Sequence, residues 1–403
     1  MTASTPSTSP SALAGLANDP SVQKLRGALA GLRRQLSRRV LLVDFSDGCA
    51  LVAQCRLRRG SVDLLPIDIS VLPAEALEKG SPTEPAEMAE LLKQVISERQ
   101  IVAQRAAVVL PAIAFTTMPL CMAADLTPEQ ALQELGEPGS GIQLPFPRQQ
   151  ADMALVETTD PEEQKRHLHR SYLLMAVQRS IIDRLVATFE AAGLDLQFVD
   201  SGLLAPLQLL SEQINALKQG EQLLHLHLAP GFTSCTVVWR GGPQKQQRLA
   251  PVRPYPLMQE LGSDDYFPIT PEDLLSLERD LRKLIKGSEQ RTSLITLGGT
   301  GSAHPGIDEL MSEALDLPVK LLKPLQHPAV GNFELPEGMN PQAMSRIVGM
   351  AVRCLHTEEN AAALARAAAQ RNKATRPEPA ELNARLKDWV YCLKARIRSN
   401  IGK

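Results

Sequence analysis

Residues 40–48 read Val-Leu-Leu-Val-Asp-Phe-Ser-Asp-Gly. The four apolar residues that begin this segment predict a strand buried on both faces of a sheet. Asp44 ends the apolar run, and the Ser-Asp-Gly sequence that follows predicts a tight turn. The patterns at 50–54 and 62–71 predict two further strands, with Arg59-Gly60 at the turn between them. The sequence therefore predicts an antiparallel meander whose first turn follows a carboxylate.

The second half of the chain repeats this arrangement. Residues 223–228 and 234–239 predict a strand pair, and a strand at 293–297 leads directly into Gly298-Gly299-Thr300-Gly301-Ser302. Apolar periodicity predicts helices at 84–100, 126–135, 165–193, 271–286 and 307–314. Two series of paired strands, each interrupted by helices, predict two related α/β halves with a cleft between them.

Composition narrows the function classes. With 403 residues and 44% hydrophobic content, the chain can form two or three domains with buried cores. A net charge of -2 and an aromatic content of 3% argue against nucleic-acid binding. The cysteines form no Cys-x-x-Cys pair, which favours free thiols in a reducing compartment over disulfides or a zinc site. No apolar run is long enough to span a bilayer and no signal-peptide pattern occurs, so we expect a cytoplasmic protein.

Both ends of the chain have basic amphipathic patterns. Residues 21–37 repeat valine and leucine at helical spacing among lysines and arginines. Residues 381–403 do the same with a tryptophan among the leucines, which is typical of a helix lying in a membrane interface. The residues expected to contact the membrane are Leu386, Trp389, Leu393, Ile397, Lys394 and Arg396. The alternative is that both helices pack on the body of the protein or on partner proteins.

Taken in order, several segments resemble the PilM family of type IV pilus assembly, which belongs with FtsA to the actin-like ATPase superfamily. Residues 43–48 stand where that family has an Asp-Ile-Gly-Ser-Ser phosphate loop. Residues 192–200 contain Ala-Gly-Leu followed by Val-Asp, which closes the first half in the family. Residues 295–302 are similar to its adenosine-side Gly-Gly loop, and Leu-Pro-Phe-Pro at 144–147 resembles the Ile-Pro-Phe-Pro of its inserted subdomain. The resemblance covers about residues 40–355.

This resemblance implies a two-lobed actin-like α/β fold, built from ribonuclease H-like halves, with a subdomain inserted in the first lobe. FtsA also has a C-terminal amphipathic membrane anchor, like the helix predicted here. The expected organisation is a disordered tail at 1–20, a basic amphipathic helix at 21–37, a first lobe at 38–215 with its insertion at about 76–165, a second lobe at 216–356, a linker at 357–380 and a basic amphipathic helix at 381–403.

Actin-like proteins bind ATP between their lobes. A β-turn from each lobe offers backbone N–H groups to the phosphates, and an Asp beside each turn holds magnesium or orients water. The resemblance carries the nucleotide-binding role to Asp44, Ser46, Gly48, Thr233, Gly298, Gly299 and Thr300.

Both turns of this chain depart from the family's chemistry. In the first turn Ser46 stands in the place of a Gly and Asp47 in the place of a Ser, and Leu51 replaces a Lys in the next strand. In the second turn His227 replaces the Asp and Ala229 replaces the Gly. An added carboxylate repels a triphosphate, and the missing Asp removes a magnesium ligand. We therefore expect either a weak, magnesium-free ATP site or a cleft without nucleotide, and no efficient hydrolysis.

His225 and His227 alternate along one predicted strand and so share a face. A zinc pair would need further ligands, and no Cys or carboxylate stands nearby in the sequence. We therefore expect no metal site at these histidines.

The function implied by the resemblance is a cytoplasmic scaffold of type IV pilus assembly. Proteins of this family capture the cytoplasmic tail of the inner-membrane protein PilN and link it to the motor and platform proteins of the pilus. We expect the same partners here, with peripheral contact to the inner face of the plasma membrane. Two alternatives stay open: an active actin-like ATPase that assembles with nucleotide, and a type II secretion component of the GspL type.

Overall fold

The structure, a computed structural model, describes residues 38–46, 48–123, 125–137, 140–159, 169–253, 255–258 and 268–374. The predicted tail and helix at 1–37 lie outside the described residues. So do the predicted helix at 381–403, with its six membrane-contact residues, and Asp47.

A first sheet forms from the segment around Asp44. Its strands lie in the order β10 (Asp195–Ser201), β6 (Arg105–Leu110), β1 (Arg39–Ser46), β2 (Cys49–Leu57), β3 (Val62–Val71) and β16 (Val330–Phe333). Strand β1 runs antiparallel to β2 and parallel to β6, and β6 runs parallel to β10. The predicted meander and its turns are confirmed.

A second sheet repeats this topology. Its strands lie in the order β13 (Gly242–Leu249), β12 (Phe232–Trp239), β11 (Glu221–Ala229), β14 (Arg291–Gly298) and β15 (Val319–Leu321). Three antiparallel strands are again followed by two parallel ones, with the first strand of the meander in the middle. The two sheets thus have the same connectivity, which confirms the prediction of two related α/β halves.

Two smaller sheets are formed by segments that lie, in the sequence, between strands of the first sheet. A third sheet has the order β7 (Phe115–Ala123), β9 (His169–Gln178) and β8 (Ala151–Glu157), and a short hairpin joins β4 (Leu77–Glu78) to β5 (Ser81–Pro82).

The predicted helix at 165–193 is wrong in its first half. Residues 169–178 form β9, which pairs with β7 on one side and β8 on the other, and the helix begins only at Arg179. The apolar run at 172–177 is buried continuously, and such a run fits a strand covered on both faces as well as a helix. Pairing on both edges satisfies the backbone groups of this run and favours the strand.

The helices are α1 (Pro85–Glu98), α2 (Pro128–Gly136), α3 (Arg179–Ala191), α4 (Ser211–Asn215), α5 (Pro271–Lys286), α6 (Ile307–Leu315) and α7 (Ser345–Ala374). The predicted helix at 271–286 is confirmed, and Thr270 caps it by accepting a hydrogen bond from the backbone N–H of Asp273 at 3.2 Å.

Alternation along β1 places the first sheet between two cores. Leu41 and Val43 face a core that also contains residues of α1 and α3. Val40 and Leu42 face the other way, into a core shared with the first turns of α7 and with Leu223 of β11. The second sheet packs its opposite face on α5 and α6. The side chains on the Leu42 face of β1 and those on the Leu223 face of β11 therefore point into the same core between the two sheets.

Chain contacts divide the protein into two units, Met1–Leu355 and His356–Lys403. The first unit contains all the sheets described above and the first turns of α7. In the second unit, the described residues continue α7 to Ala374. No helix in the described ranges is both long and apolar enough to cross a membrane.

Close packing at Gly349 fixes the position of α7. A Cβ added at Gly349 would lie 1.9 Å from the carbonyl oxygen of Ala205, in the turn after β10. No side chain can occupy that space, so the helix backbone rests directly on the first lobe.

We expect Gly349→Ala to lower the free energy of unfolding by about 1–3 kcal/mol, because the clash with backbone outweighs the better helix propensity of Ala. Urea unfolding at neutral pH measures this change. Gly136→Ala is the matched control, since a Cβ there meets nothing within 4 Å. Equal stability of the two variants would show that α7 does not depend on this contact.

Candidate functional site

A cavity of about 510 Å³ lies between the two lobes. Turns from both lobes line it: Ser46 ends β1 and Gly48 follows it, and Gly231 follows β11. The carboxyl ends of the parallel strands β1 and β6 meet at this edge of the first sheet, which is where open α/β sheets bind ligands. The side chains of His227 and Arg346 form part of its wall.

Asp44 and His227 approach this cavity from opposite lobes. Asp44 lies near the end of β1 on the face of Leu42, and His227 lies near the end of β11 on the face of Leu223. Both are buried, at 1% and 5% exposure. The folds of the two lobes thus bring the remaining Asp of the first turn and the residue that replaces the second Asp to one place.

Arg346, in the first turn of α7, joins these two residues. Its Nε donates to Asp44 Oδ2 at 2.7 Å, and its Nη1 lies 3.0 Å from His227 Nε2. Its Nη2 donates to Ser46 Oγ, which in turn donates to Asp44 Oδ1 at 2.5 Å. The guanidinium is buried with 6% of its side chain exposed. One cation from a third element therefore holds both turns.

The contact with Arg346 fixes the tautomer of His227. A guanidinium has only donors, so Nε2 of His227 must accept and its proton must lie on Nδ1. Nδ1 is buried without a hydrogen-bond partner among the described residues. Burial lowers the pKa of His227 well below its usual value, and the charges of Arg346 and then His225 lower it further. The imidazole is therefore neutral at physiological pH.

His225 lies on the same face of β11, two residues away. Its Nδ1 is 3.0 Å from Thr296 Oγ1 of the neighbouring strand. Burial lowers the pKa of His225 to about 4. Both histidines are thus buried neutral groups rather than charged ligands of an anion.

A second arginine of α7 binds the first sheet in the same way. Arg353 lies two turns after Arg346 on the helix, and its Nη1 donates to Asp200 Oδ1 at 2.5 Å, at the end of β10. Burial raises the pKa of Asp200, against the lowering effect of Arg353 and of a backbone hydrogen bond from Ser201. Helix α7 therefore closes the carboxyl edge of the first sheet with two ion pairs.

The sequence-predicted nucleotide residues separate into two groups. Ser46 and Gly48 line the cavity, and Asp44 lies behind Ser46 in its ion pair. Gly48 has a φ of 73°, a left-handed conformation that a Gly adopts without strain. These residues lie in the turn where the resemblance places a phosphate loop, and their role in binding nucleotide stays a prediction.

The other group packs inside the second lobe. Gly299 approaches β11 so closely that a Cβ would lie 2.5 Å from the carbonyl oxygen of Leu228. Thr300 and Thr233 are buried at 1% and 0% exposure, and their hydroxyls have no hydrogen-bond partner within the described ranges. Gly298 packs against the ring of His225. The glycines of this loop thus allow close packing of β14 on β11.

Sequence reasoning missed Arg346. It stands 302 residues from Asp44 and belongs to no motif, so no local pattern indicates its role. The available signal was indirect: with the second Asp replaced by His227, Asp44 would be a buried carboxylate without magnesium, and a buried charge requires a partner.

The residues present do not fit a magnesium–phosphate group. Both oxygens of Asp44 already accept hydrogen bonds, one of them from a guanidinium that would repel a divalent cation. Magnesium prefers oxygen ligands, and the second turn offers the imidazole of His227 in place of a carboxylate. Among the described residues, no group of three or more His, Cys, Asp or Glu side chains has the arrangement of a metal site.

Comparison with known proteins identifies the fold. No family model matches this chain, and no curated protein gives a significant match. A chain of the PilM-PilN type IV pilus biogenesis complex superposes over 78% of this chain and 98% of its own, with 16% sequence identity and a TM-score of 0.63. This protein therefore has the two-lobed actin-like fold, as the resemblance implied.

Two other solved structures are less similar. A protein from Bacteroides thetaiotaomicron with an actin-like ATPase fold and unknown function has 12% identity, coverage of 77% and 95%, and a TM-score of 0.43. The cytoplasmic domain of EpsL, an inner-membrane component of the type II secretion system of Vibrio cholerae, has 10% identity, coverage of 78% and 94%, and a TM-score of 0.38. These two similarities add nothing to the argument about function.

We expect Arg346→Met to lower the free energy of unfolding by about 3–5 kcal/mol, because it leaves Asp44 buried and unpaired. Arg179→Met removes an exposed ion pair with Asp152 and should cost less than about 1 kcal/mol. Denaturant unfolding of both variants measures the difference. The double variant Asp44→Asn/Arg346→Met should cost clearly less than the sum of its single changes. Additive costs would contradict a direct interaction.

We expect acid to destabilise the protein through His225. The unfolded chain binds a proton there near pH 6.5 and the folded chain only near pH 4, so the free energy of unfolding falls as the pH drops between these values. The loss from this residue should be about 2 kcal/mol between pH 7 and pH 5. His225→Asn should flatten this dependence and exposed His356→Asn should not. Identical pH profiles for the two variants would exclude the effect.

Proposed function

We propose that this protein is a cytoplasmic scaffold of type IV pilus assembly with a pseudo-ATPase cleft, and that it captures a PilN-like inner-membrane protein by its cytoplasmic tail. The observation that carries the pseudo-ATPase part is the guanidinium of Arg346, hydrogen-bonded to Asp44 and Ser46 of one turn and to His227 of the other.

The fold supports the pilus part of this proposal. The solved chain that superposes on 98% of its length belongs to a complex of PilM with PilN in type IV pilus biogenesis. In that complex the superposed chain is bound to a partner protein. The order of motifs in the present sequence resembles the PilM family. We infer that this chain binds an extended tail segment of an equivalent partner and links it to the motor and platform proteins.

The cleft supports a role without hydrolysis. Catalysis of phosphoryl transfer depends on cations placed to stabilise charge on the transferred group, with magnesium held by carboxylates. Here Asp44 is already paired with Arg346, and a neutral His227 takes the place of the second carboxylate. ATP binding without magnesium would be weak, because Arg346 shares its charge with Asp44.

Localisation follows from the partner. A protein that binds the cytoplasmic tail of an inner-membrane protein lies at the inner face of that membrane. The predicted basic helix with Leu386, Trp389, Leu393, Ile397, Lys394 and Arg396 would add peripheral contact with lipid.

The proposal is tested by calorimetric titration of the full-length protein with a synthetic PilN-like cytoplasmic tail from the same organism, with and without ATP and magnesium. We expect saturable binding of the tail whose affinity is unchanged by ATP, because the cleft is held by side chains. A scrambled tail of the same composition is the control. We also expect no release of phosphate from ATP.

Two results would overturn the proposal in different ways. Failure of every PilN-like tail to bind would exclude the pilus scaffold. Phosphate release that is lost in Asp44→Ala, or tail binding that requires ATP, would identify an active actin-like ATPase instead.

A further inference from the structure

A second cavity, of about 260 Å³, has a lining made almost wholly of arginine. Its lining residues are Arg38, Arg39, Arg56, Leu57, Arg58 and Arg59. We call the five arginines the arginine cluster. They stand where β1 begins and β2 ends, at the opposite end of β1 from Asp44, roughly 20 Å from the nucleotide-like cleft.

The backbone holds this cluster in place. Arg39 and Arg56 are directly opposite each other in the antiparallel pair of β1 and β2. The N–H of Leu57 donates to the carbonyl of Arg38 at 2.8 Å, and the N–H of Arg58 donates to the carbonyl of Ser61 at 2.8 Å. Arg39 and Arg56 are therefore held within paired strands, and Arg38, Arg58 and Arg59 flank the ends of those strands.

This arrangement is unfavourable in the isolated protein. Like charges directly opposite each other in a sheet repel and lower stability. Arg38, Arg56 and Arg59 are exposed, so water moderates the repulsion without removing it. A site that concentrates one sign of charge in a concave surface attracts counter-ions strongly.

The carboxylate of Asp63, which lies close to the cluster, already has an ion-pair partner and hydrogen-bond donors. Asp63 Oδ2 pairs with Arg58 Nε at 2.5 Å, and Asp63 Oδ1 accepts hydrogen bonds from the backbone N–H and the side-chain amide of Asn332 at 3.0 and 3.2 Å. The other four arginines have no ion-pair partner within the described part of the chain. Within the described part of the chain the cluster therefore has an unbalanced positive charge, which an anion from outside would neutralise.

The cavity suits the phosphate group. Guanidinium groups bind phosphate oxygens in a bidentate manner, and several of them converge here. None of the described residues that line the cavity is aromatic, so they offer no platform on which a nucleic-acid base could stack. Leu57 is the one apolar residue among the described lining residues, so these residues offer no apolar groove for a peptide.

We propose that the arginine cluster binds the phosphate headgroups of anionic lipids and holds this end of the first lobe against the membrane. The position of the cluster in the chain favours lipid over other anions. The preceding segment, 21–37, repeats leucine at helical spacing with Lys24, Arg26, Arg33 and Arg34 between, which is the pattern of an interfacial helix. This segment immediately precedes Arg38 in the sequence, so the cluster follows a second basic stretch of the chain.

This inference rests on the proposed membrane-peripheral function and adds to it a lipid site on the folded lobe. Residues of such a site act together with an amphipathic helix, because each basic residue near an anionic surface adds a similar increment to binding.

The test is co-sedimentation of the full-length protein with phosphatidylcholine vesicles that contain or lack phosphatidylglycerol. We expect binding only to the anionic vesicles. Arg39→Gln/Arg56→Gln/Arg59→Gln should weaken it roughly a hundredfold, since each residue contributes about fivefold. The matched control, Lys245→Gln/Lys286→Gln/Arg291→Gln, removes the same charge from exposed positions of the second lobe and should bind like wild type.

Further measurements separate the possible outcomes. At low salt the cluster variant should unfold at the same or a higher denaturant concentration than wild type, because repulsion is relieved, so weaker binding does not reflect misfolding. Its affinity for the PilN-like tail should be unchanged, which keeps this proposal separate from the scaffold function.

Three results would overturn the proposal. Equal binding of wild type and cluster variant to anionic vesicles would remove the site. A loss of affinity for duplex DNA or inorganic pyrophosphate with vesicle binding unchanged would identify a different anion. A loss of affinity for the tail peptide alone would make the cluster a protein interface.

Discussion

The buried guanidinium of Arg346 connects the turns of the two lobes. Asp44 comes from one lobe, His227 from the other and Arg346 from α7, so a single cation joins three separate parts of the fold. Placing charges in a protein interior costs several kcal/mol per ion, and a pair regains this only with good geometry and further hydrogen bonds. Here Ser46 and His227 complete the arrangement. Removing either partner of the Arg346–Asp44 pair is strongly unfavourable, because it leaves the other charge buried and unpaired.

This constraint changes what the cleft can respond to. In a cleft whose turns are joined by a bound nucleotide and its metal, the population of the closed form follows the concentration of ligand. An internal side chain has no such dependence, since Arg346 is always present and is positioned by α7. The contact of Gly349 with Ala205 and the ion pair of Arg353 with Asp200 fix α7 on the first lobe in the two turns that follow Arg346. A cleft built this way favours a constant binding surface over a switch.

The sequence predicted the parts of this fold that depend on local pattern. The meander around Asp44, the two related halves and the helix at 271–286 are all present, because alternation, turn residues and capping act within a few residues. The helix predicted at 165–193 failed at 169–178 because a continuously buried apolar run satisfies either period, and only its pairing with β7 and β8 decides. The role of Arg346 could not be predicted from local pattern either, because it depends on a contact with Asp44, 302 residues away in the sequence.

The two ends of β1 show how the same side chain takes opposite roles according to its surroundings. At the carboxyl end, Arg346 is buried and its charge is met by Asp44, so the protein satisfies it internally. At the amino end, Arg39 lies opposite Arg56, and the nearby carboxylate of Asp63 already binds Arg58 and Asn332. A charge neutralised inside the fold stabilises it, whereas charges concentrated at a rigid exposed edge lower the free energy only when an anion arrives from outside. The same side chain is thus paired within the fold at the carboxyl end of β1 and placed opposite another arginine at its amino end.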